Sequence, residues 1–177
     1  MDPTAASLTT HLWIALLRWA LHITVDAAVV DAITDAAARE DVPVERLFAV
    51  CFRESTLGQG RPALLCGYQG RISDSERAAW ASTFGGTPAR TNARWQALHA
   101  AHALRRWHDN ICTRGADALR WDHAAAFYNN GEHCQRTSYS DNVAETADRV
   151  ATAVMRREDI GPELAMGDPA AEDVCHH

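Results

Sequence analysis

Apolar residues recur at helical spacing through most of this 177-residue sequence, whereas the alternation typical of strands is scarce. The clearest repeat runs at intervals of four, three and four residues and places its members on one helix face: Val143, Ala147, Val150 and Val154. Periodicity together with start and stop signals predicts further helices at about 26–39, 43–55, 73–82, 91–107 and 122–130. The pattern therefore predicts a mainly α fold.

Length and composition suit one globular domain. A chain of 177 residues with 47% hydrophobic content can bury a core without obligatory cross-links. We expect residues 1–160 to form this domain, with the helices of residues 1–40 packed on the remainder. Residues 161–177 begin with Gly-Pro and lack apolar periodicity, so they are predicted to form an acidic, flexible tail.

The net charge of −6 comes from the end of the chain. Residues 158–177 hold six acids and no Arg, so residues 1–157 carry seventeen acids and seventeen Arg. The sequence contains no Lys and no basic stripe. Nucleic acid is therefore excluded as an expected partner on electrostatic grounds.

The run from Leu12 to Ile23 is the stretch whose hydrophobicity suggests a membrane. Arg18 and His22 interrupt it, and it is too short to span a bilayer, so no transmembrane span is predicted. Asp2 stands where a signal peptide would carry basic residues, and no clean cleavage site follows the run. We interpret the run as a packed first helix. An uncleaved export or anchoring signal is the alternative that the sequence leaves open.

Glu54 is the leading catalytic candidate because it continues an apolar helix face. Leu47, Val50 and Cys51 recur at helical spacing, and this pattern predicts a buried stripe. Glu54 follows Leu47 by one heptad and extends the same stripe. A carboxyl group aimed inward loses hydration, which favours its protonated form and suits a general acid. The alternative is a structural role, in which Glu54 caps the helix or pairs with Arg53 or a distant arginine.

A second candidate segment is the short apolar helix that ends in Tyr128-Asn129-Asn130-Gly131. Asn and Gly tolerate the left-handed conformation that closes many helices. The sequence therefore predicts that a phenol and an amide are held together at a helix end.

Four motifs, taken in order, resemble those of lysozyme-like lytic transglycosylases, namely the soluble lytic transglycosylase type and the goose-type lysozymes. The motifs are Glu54-Ser55 after an apolar helix, the Gly67-Tyr68-Gln69 loop, Tyr128-Asn129-Asn130-Gly131, and Tyr139 with Val143. The resemblance covers about residues 43–154. It departs from the family at Cys66-Gly67-Tyr68-Gln69. The family usually reads Gly-Leu-Met-Gln, with two residues between Gly and Gln, whereas this sequence has Tyr68 alone between Gly67 and Gln69 and is one residue short.

The resemblance implies a lysozyme-like single domain that cleaves the β-1,4 bond between N-acetylmuramic acid and N-acetylglucosamine in peptidoglycan. It implies that Glu54 is the catalytic residue, that the products are 1,6-anhydro sugars, and that no cofactor takes part. Tyr128 and Asn129 would orient the substrate and Glu54. The full set of substrate-binding residues that it implies is Ser55, Gln69, Tyr128, Asn129 and Tyr139.

Transglycosylation is preferred to hydrolysis because a hydrolase of the two-carboxylate kind needs a second acid across the sugar ring. Asp74, Glu76 and Asp109 are the candidates, and no spacing rule singles one out. The alternatives are a muramidase-type hydrolase and a catalytically idle glycan-binding or structural component of a phage particle or secretion apparatus. The expected place of action is the cell envelope, the periplasm or a phage virion.

Five cysteines leave at least one unpaired in any intramolecular scheme. Two pairs bracket the Glu54 loop and the Tyr128 helix, respectively: Cys51 with Cys66, and Cys112 with Cys134. An oxidising compartment would allow both bridges, whereas Cys51 is equally well explained as a small core residue. Cys175 is the predicted odd one out.

Metal binding is not expected from the histidines. His99 and His102 lie one helical turn apart, with His108 further along the same helix. No carboxylate or thiol falls at a matching position on that helix to complete a ligand set. We interpret these imidazoles, which lie near Arg105 and Arg106, as solvent-facing or stacked on neighbouring side chains.

Overall fold

The structure is a computed structural model that describes residues 9–59, 64–67, 74–84, 92–131 and 134–157. Within these ranges it contains seven α-helices and no strand. The helices are α1 (Thr10–Leu21), α2 (Ala27–Glu40), α3 (Val44–Ser55), α4 (Asp74–Phe84), α5 (Ala93–Arg106), α6 (Asp117–Asn130) and α7 (Ser138–Met155). A π-helical turn, Trp107–Ile111, extends α5. The prediction of a mainly α fold is confirmed.

The helix α7 occupies the centre of the packing, because α1, α3 and α6 all lie against it. Its predicted face is buried, which confirms the apolar repeat: Val143, Ala147, Val150 and Val154. The side chains of Thr137 and Ser140 each accept the other residue's backbone N–H, a reciprocal cap that starts the helix. Since α3 also contacts α2 and α5, it links α7 to a second pair of packed helices.

The helix α1 is packed on the fold, as the sequence predicts. Trp13, Leu16 and Leu17 are buried, and the helix contacts α2 and α7. Trp13 also lies against Phe48 of α3, with the ring centroids 5.1 Å apart. Among the described residues, no helix combines the length and the apolar character needed to cross a membrane.

The helix α6 begins earlier than the sequence predicts, at Asp117 rather than at about residue 122. Ala116 precedes it and supplies no capping side chain, so the usual start signal is missing. Gly115 instead turns the chain at a φ of +102°, a conformation suited to glycine. The helix α4 likewise runs on to Phe84, slightly beyond its predicted end.

Some expectations concern residues outside the described ranges. They are the start of the predicted helix at residue 73, the domain limit at residue 160, the acidic tail at 161–177 with its unpaired Cys175, and the saccharide-binding role of Gln69.

Two disulfides cross-link the chain. Cys51–Cys66 joins α3 to the segment of residues 64–67, which we call the Cys66 segment. Cys112–Cys134 joins the turn after Ile111 to the connection between α6 and α7. Both of the bridges considered in the sequence analysis are therefore present. Cys51 is also fully buried, so both interpretations of this residue, as part of a disulfide and as a core residue, are correct.

Candidate active site

The helix α3 carries Glu54 in its last turn. The apolar stripe that precedes it is fully buried, as predicted, at Leu47, Val50 and Cys51. The Glu54 side chain continues this face but is only half-buried. Among the described residues Glu54 forms no ion pair, neither with Arg53 nor with a distant arginine. Its carboxyl group therefore contacts the protein on one side and stays within reach of solvent.

Ser55 ties the end of α3 to the chain that follows it. Its buried hydroxyl donates to the Leu65 carbonyl and accepts the Gly58 N–H at 2.8 Å. Between these contacts Thr56 and Leu57 both adopt a φ of +53°, a left-handed conformation that non-glycine residues seldom take. The Ser55 hydroxyl thus anchors a tight turn and the Cys66 segment at the same point.

Three further contacts, all at Cys66, hold the Cys66 segment in place. The Cys66 sulfur is bonded to Cys51, one helical turn before the candidate acid. The Cys66 N–H faces Gln96 Oε1 at 3.4 Å, and Gln96 is fully buried. The Cys66 carbonyl accepts a hydrogen bond of 2.6 Å from the Tyr128 hydroxyl. No local pattern in the sequence indicates the place of Gln96, because its contact joins elements that are far apart in the chain.

Gly67 brings the backbone of this segment against Glu54. Its φ is +71°, and a Cβ atom placed on it would lie 2.2 Å from Glu54 Oε2. Both observations require glycine, since a side chain would be strained and would collide with the carboxyl group. The Gly67-Tyr68-Gln69 motif predicts a loop beside the acid, but the direct contact of Gly67 with the carboxyl group is apparent only in the structure.

Tyr139, in the first turn of α7, is the direct partner of Glu54. Its hydroxyl donates to Glu54 Oε1 at 2.6 Å. Burial raises the pKa of Tyr139, and the hydrogen bond to Glu54 and the charge of that carboxylate raise it further. The phenol is therefore neutral throughout the neutral pH range and remains a donor to Glu54. A donor of this kind stabilises the ionised carboxyl group.

The Tyr128 hydroxyl does not bind Glu54 directly, although the resemblance implies that Tyr128 orients this residue. The hydroxyl binds the Cys66 carbonyl rather than the carboxyl group of Glu54, and the Tyr128 ring meets Trp107 edge-on with centroids 5.6 Å apart. Any orientation of Glu54 by Tyr128 is therefore indirect, through the Cys66 segment. Asn129 follows it in the last turn of α6 with an exposed side chain.

The candidate second acids whose side chains are described, Asp109 and Asp74, have partners other than Glu54. Asp109 Oδ2 pairs with Arg105 Nε at 2.7 Å, and Asp109 Oδ1 meets His108 Nδ1 at 2.7 Å. Burial acts against ionisation, but the hydrogen bonds and charges of His108 and Arg105 outweigh it and lower the pKa of Asp109. Asp74 is exposed and lies 3.6 Å from Arg77. The side chain of Glu76 lies outside the described part of the chain.

The three histidines of the α5 region face different partners. The His99 ring lies tilted against the Trp95 ring with centroids 4.2 Å apart, and Nδ1 of exposed His102 lies 3.0 Å from Glu40 Oε2. His108 is buried and stacks on Trp121 with ring centroids 3.9 Å apart, which is the second of the two predicted placements, and its ring nitrogens lie 2.7 and 2.9 Å from Asp109 and Asp117. Across the described ranges no group of three His, Cys, Asp or Glu side chains is placed to hold a metal ion.

A cavity of about 800 Å³ lies between the end of α1 and the outer face of α7. Trp19, Arg136, Glu145 and Asp148 are among its lining residues. None of the residues predicted to be catalytic or substrate-binding lines it. Because its lining contains no predicted site residue, the candidate site remains at Glu54.

Comparison with known proteins adds no assignment. Neither a protein-family model, nor a curated protein, nor a solved structure shows a significant match to the chain.

If Glu54 is the catalytic residue that the resemblance implies, replacing Tyr139 by Phe should lower turnover far more than glycan binding. The change removes the hydrogen bond to the carboxyl group in the state where that group has given up its proton, and hydrogen bonds to charged groups contribute about 1.5–3 kcal/mol, so kcat should fall roughly 10- to 100-fold. Steady-state rates on sacculi and titration with chitooligosaccharides separate the two effects. Tyr128→Phe is the comparison variant, and its loss should be smaller because its hydroxyl contacts the Cys66 carbonyl. A large loss of binding at unchanged kcat would instead place Tyr139 in a saccharide subsite.

Proposed function

We propose that the protein is a lysozyme-like lytic transglycosylase that cleaves the β-1,4 bond between N-acetylmuramic acid and N-acetylglucosamine in peptidoglycan. The observation that carries the proposal is the pairing of half-buried Glu54 with a neutral phenol, Tyr139, at 2.6 Å. The order of motifs from Glu54-Ser55 to Tyr139 supports it independently. Glycan strands of the cell wall are the proposed partner.

The first step of the proposed reaction uses Glu54 as an acid. Its proton passes to the glycosidic oxygen as the bond to the anomeric carbon breaks, and positive charge develops on the sugar as an oxocarbenium-like state. The carboxyl group becomes a carboxylate in this step. The Tyr139 hydroxyl already donates to Oε1, so it stabilises the negative charge that appears there.

The second step uses the same residue as a base. The Glu54 carboxylate takes the proton of the muramoyl 6-hydroxyl, whose oxygen closes on the anomeric carbon and gives a 1,6-anhydro product. Glu54 is then protonated again and ready for the next bond. The ion pair of Asp109 with Arg105 and its hydrogen bond with His108 support this single-carboxylate scheme, because they engage that acid with other partners.

The two disulfides support a place of action outside a reducing cytosol. Disulfides persist in oxidising compartments, and Cys51–Cys66 holds the segment that touches Glu54. We therefore propose that the protein acts at the cell envelope, in the periplasm, or as part of a phage virion or secretion assembly that reaches the cell wall.

Mass spectrometry of the products from purified peptidoglycan tests the proposed reaction. The expected muropeptides end in 1,6-anhydromuramic acid and are one water lighter than lysozyme products, because the nucleophile is the 6-hydroxyl of the substrate. Muropeptides with a reducing end as the main product would contradict transglycosylation and favour a muramidase. A digest without products, from protein shown to be folded, would favour a catalytically idle relative.

A further inference from the structure

Arg53 is the residue directly before the candidate acid in the chain. It precedes Glu54 in the last turn of α3, and its side chain is exposed. Within the described ranges its guanidinium has no hydrogen-bond or ion-pair partner. This differs from Arg46 on the same helix, which pairs with Asp122, and from Arg105, which pairs with Asp41 and Asp109.

The charge of Arg53 reaches the Tyr139–Glu54 pair. Burial and the Glu54 carboxylate raise the pKa of Tyr139, and the Arg53 charge acts on the same phenol in the opposite direction. Arg53 is therefore next to Glu54 in the last turn of α3, and its charge interacts with the phenol that binds Glu54. The Glu54 carboxyl group contacts Tyr139 and Gly67 rather than Arg53, so within the described ranges the exposed guanidinium is left without a protein partner.

We propose that Arg53 is a specificity-determining residue that selects anionic glycans by binding a carboxylate on the muramic acid unit, which belongs to the stem peptide where the peptide is present and to the lactyl group where it is absent. The inference rests on the proposed function and adds a substrate preference to it. An arginine can bind a carboxylate with two parallel hydrogen bonds, a geometry that a neutral sugar does not offer. A polymer of N-acetylglucosamine alone lacks such a carboxylate, so the charge would favour peptidoglycan over chitin.

The test compares two ligands of equal length in an inactivated protein. In the Glu54→Gln background, calorimetric titration is carried out with a muramic-acid-containing tetrasaccharide from peptidoglycan and with neutral chitotetraose. We expect the anionic ligand to bind roughly tenfold more tightly, in keeping with one charge-assisted contact. The preference should shrink at high ionic strength, because salt screens exposed charges.

Variants at Arg53 assign the preference to this side chain. Arg53→Gln should remove most of the roughly tenfold difference while leaving chitotetraose binding nearly unchanged, and Arg53→Lys should retain part of it. Arg18→Gln, an equal change of charge at an exposed position on α1, is the matched control and should keep the preference. Circular dichroism confirms that each variant is folded.

The outcomes separate this inference from the proposed function. If the parent protein cleaves sacculi but Arg53→Gln keeps the full preference, or if no preference exists, the role of Arg53 is overturned and the proposed function stands. If neither ligand binds and the parent protein leaves sacculi intact, the proposed function fails and the inference fails with it.

Discussion

Replacing Glu54 by Gln is expected to abolish cell-wall cleavage while leaving the fold intact. The amide keeps the shape of the side chain but has no acidic proton to give to the glycosidic oxygen, and general acid–base catalysis alone contributes about 10²- to 10⁴-fold to rates. We therefore expect a loss of roughly 10²- to 10⁴-fold in the clearing of murein sacculi. Glu54 is half-buried and forms no ion pair within the described ranges, so the melting temperature should shift by no more than roughly 3 °C.

Glu145→Gln provides the matched control for this variant. Glu145 is exposed on α7, so the same chemical change there should alter neither activity nor folding. A turbidity assay on sacculi and a melting curve, run on both variants and the parent protein, give the comparison. Clearing at the parent rate by Glu54→Gln would assign Glu54 a structural role and strengthen the binding or scaffold alternative.

The helices could be predicted because their signals are local. The repeat through Val143, Ala147, Val150 and Val154 is contained within one helix, and its burial follows from periodicity alone. Glu54 could be singled out on the same ground, since it extends a buried stripe. The early start of α6 at Asp117 could not, because Ala116 offers no capping side chain for the sequence to reveal.

The partners within the site could not be predicted because they come from distant parts of the chain. Tyr139 and Glu54 are separated by 85 positions, and Tyr128 and Cys66 by 62. The packing of α3 against α7 decides which phenol reaches the carboxyl group, and the motifs carry no information about this choice. The sequence accordingly leads to Tyr128 as the residue that orients Glu54, whereas in the structure Tyr139 makes the hydrogen bond.

Most contacts that hold the backbone of the Cys66 segment could not be predicted from the sequence for the same reason. Its four attachments come from Ser55, the Cys51 sulfur, Gln96 and Tyr128, which lie on three different helices. Only one of them, the disulfide, was among the alternatives open from the sequence. Together they hold the segment so that Gly67 lies against the candidate acid, and the position of the Glu54 carboxyl group therefore depends on backbone placement as well as on side-chain partners.

Gly67→Ala should accordingly be among the most damaging single changes outside Glu54 itself. The new Cβ would lie 2.2 Å from Glu54 Oε2 and 2.7 Å from its Cδ, so the carboxyl group or the Cys66 segment must move. The segment is held by a disulfide and several hydrogen bonds, and we expect the carboxyl group to yield. A displacement of about 1 Å at a reacting group can cost roughly 100-fold in rate, and this is the loss expected in sacculus clearing.

Gly131→Ala isolates that steric effect from backbone strain. Gly131 adopts a φ of +72°, almost the same as the +71° of Gly67, but a Cβ placed on it meets no atom within 4 Å. Both variants should therefore lose about 1–2 kcal/mol of unfolding free energy from the left-handed conformation, measurable by urea denaturation. Only Gly67→Ala should lose most of its turnover per folded molecule. Equal losses of activity in the two variants would mean that strain, rather than contact with Glu54, accounts for the requirement for glycine at position 67.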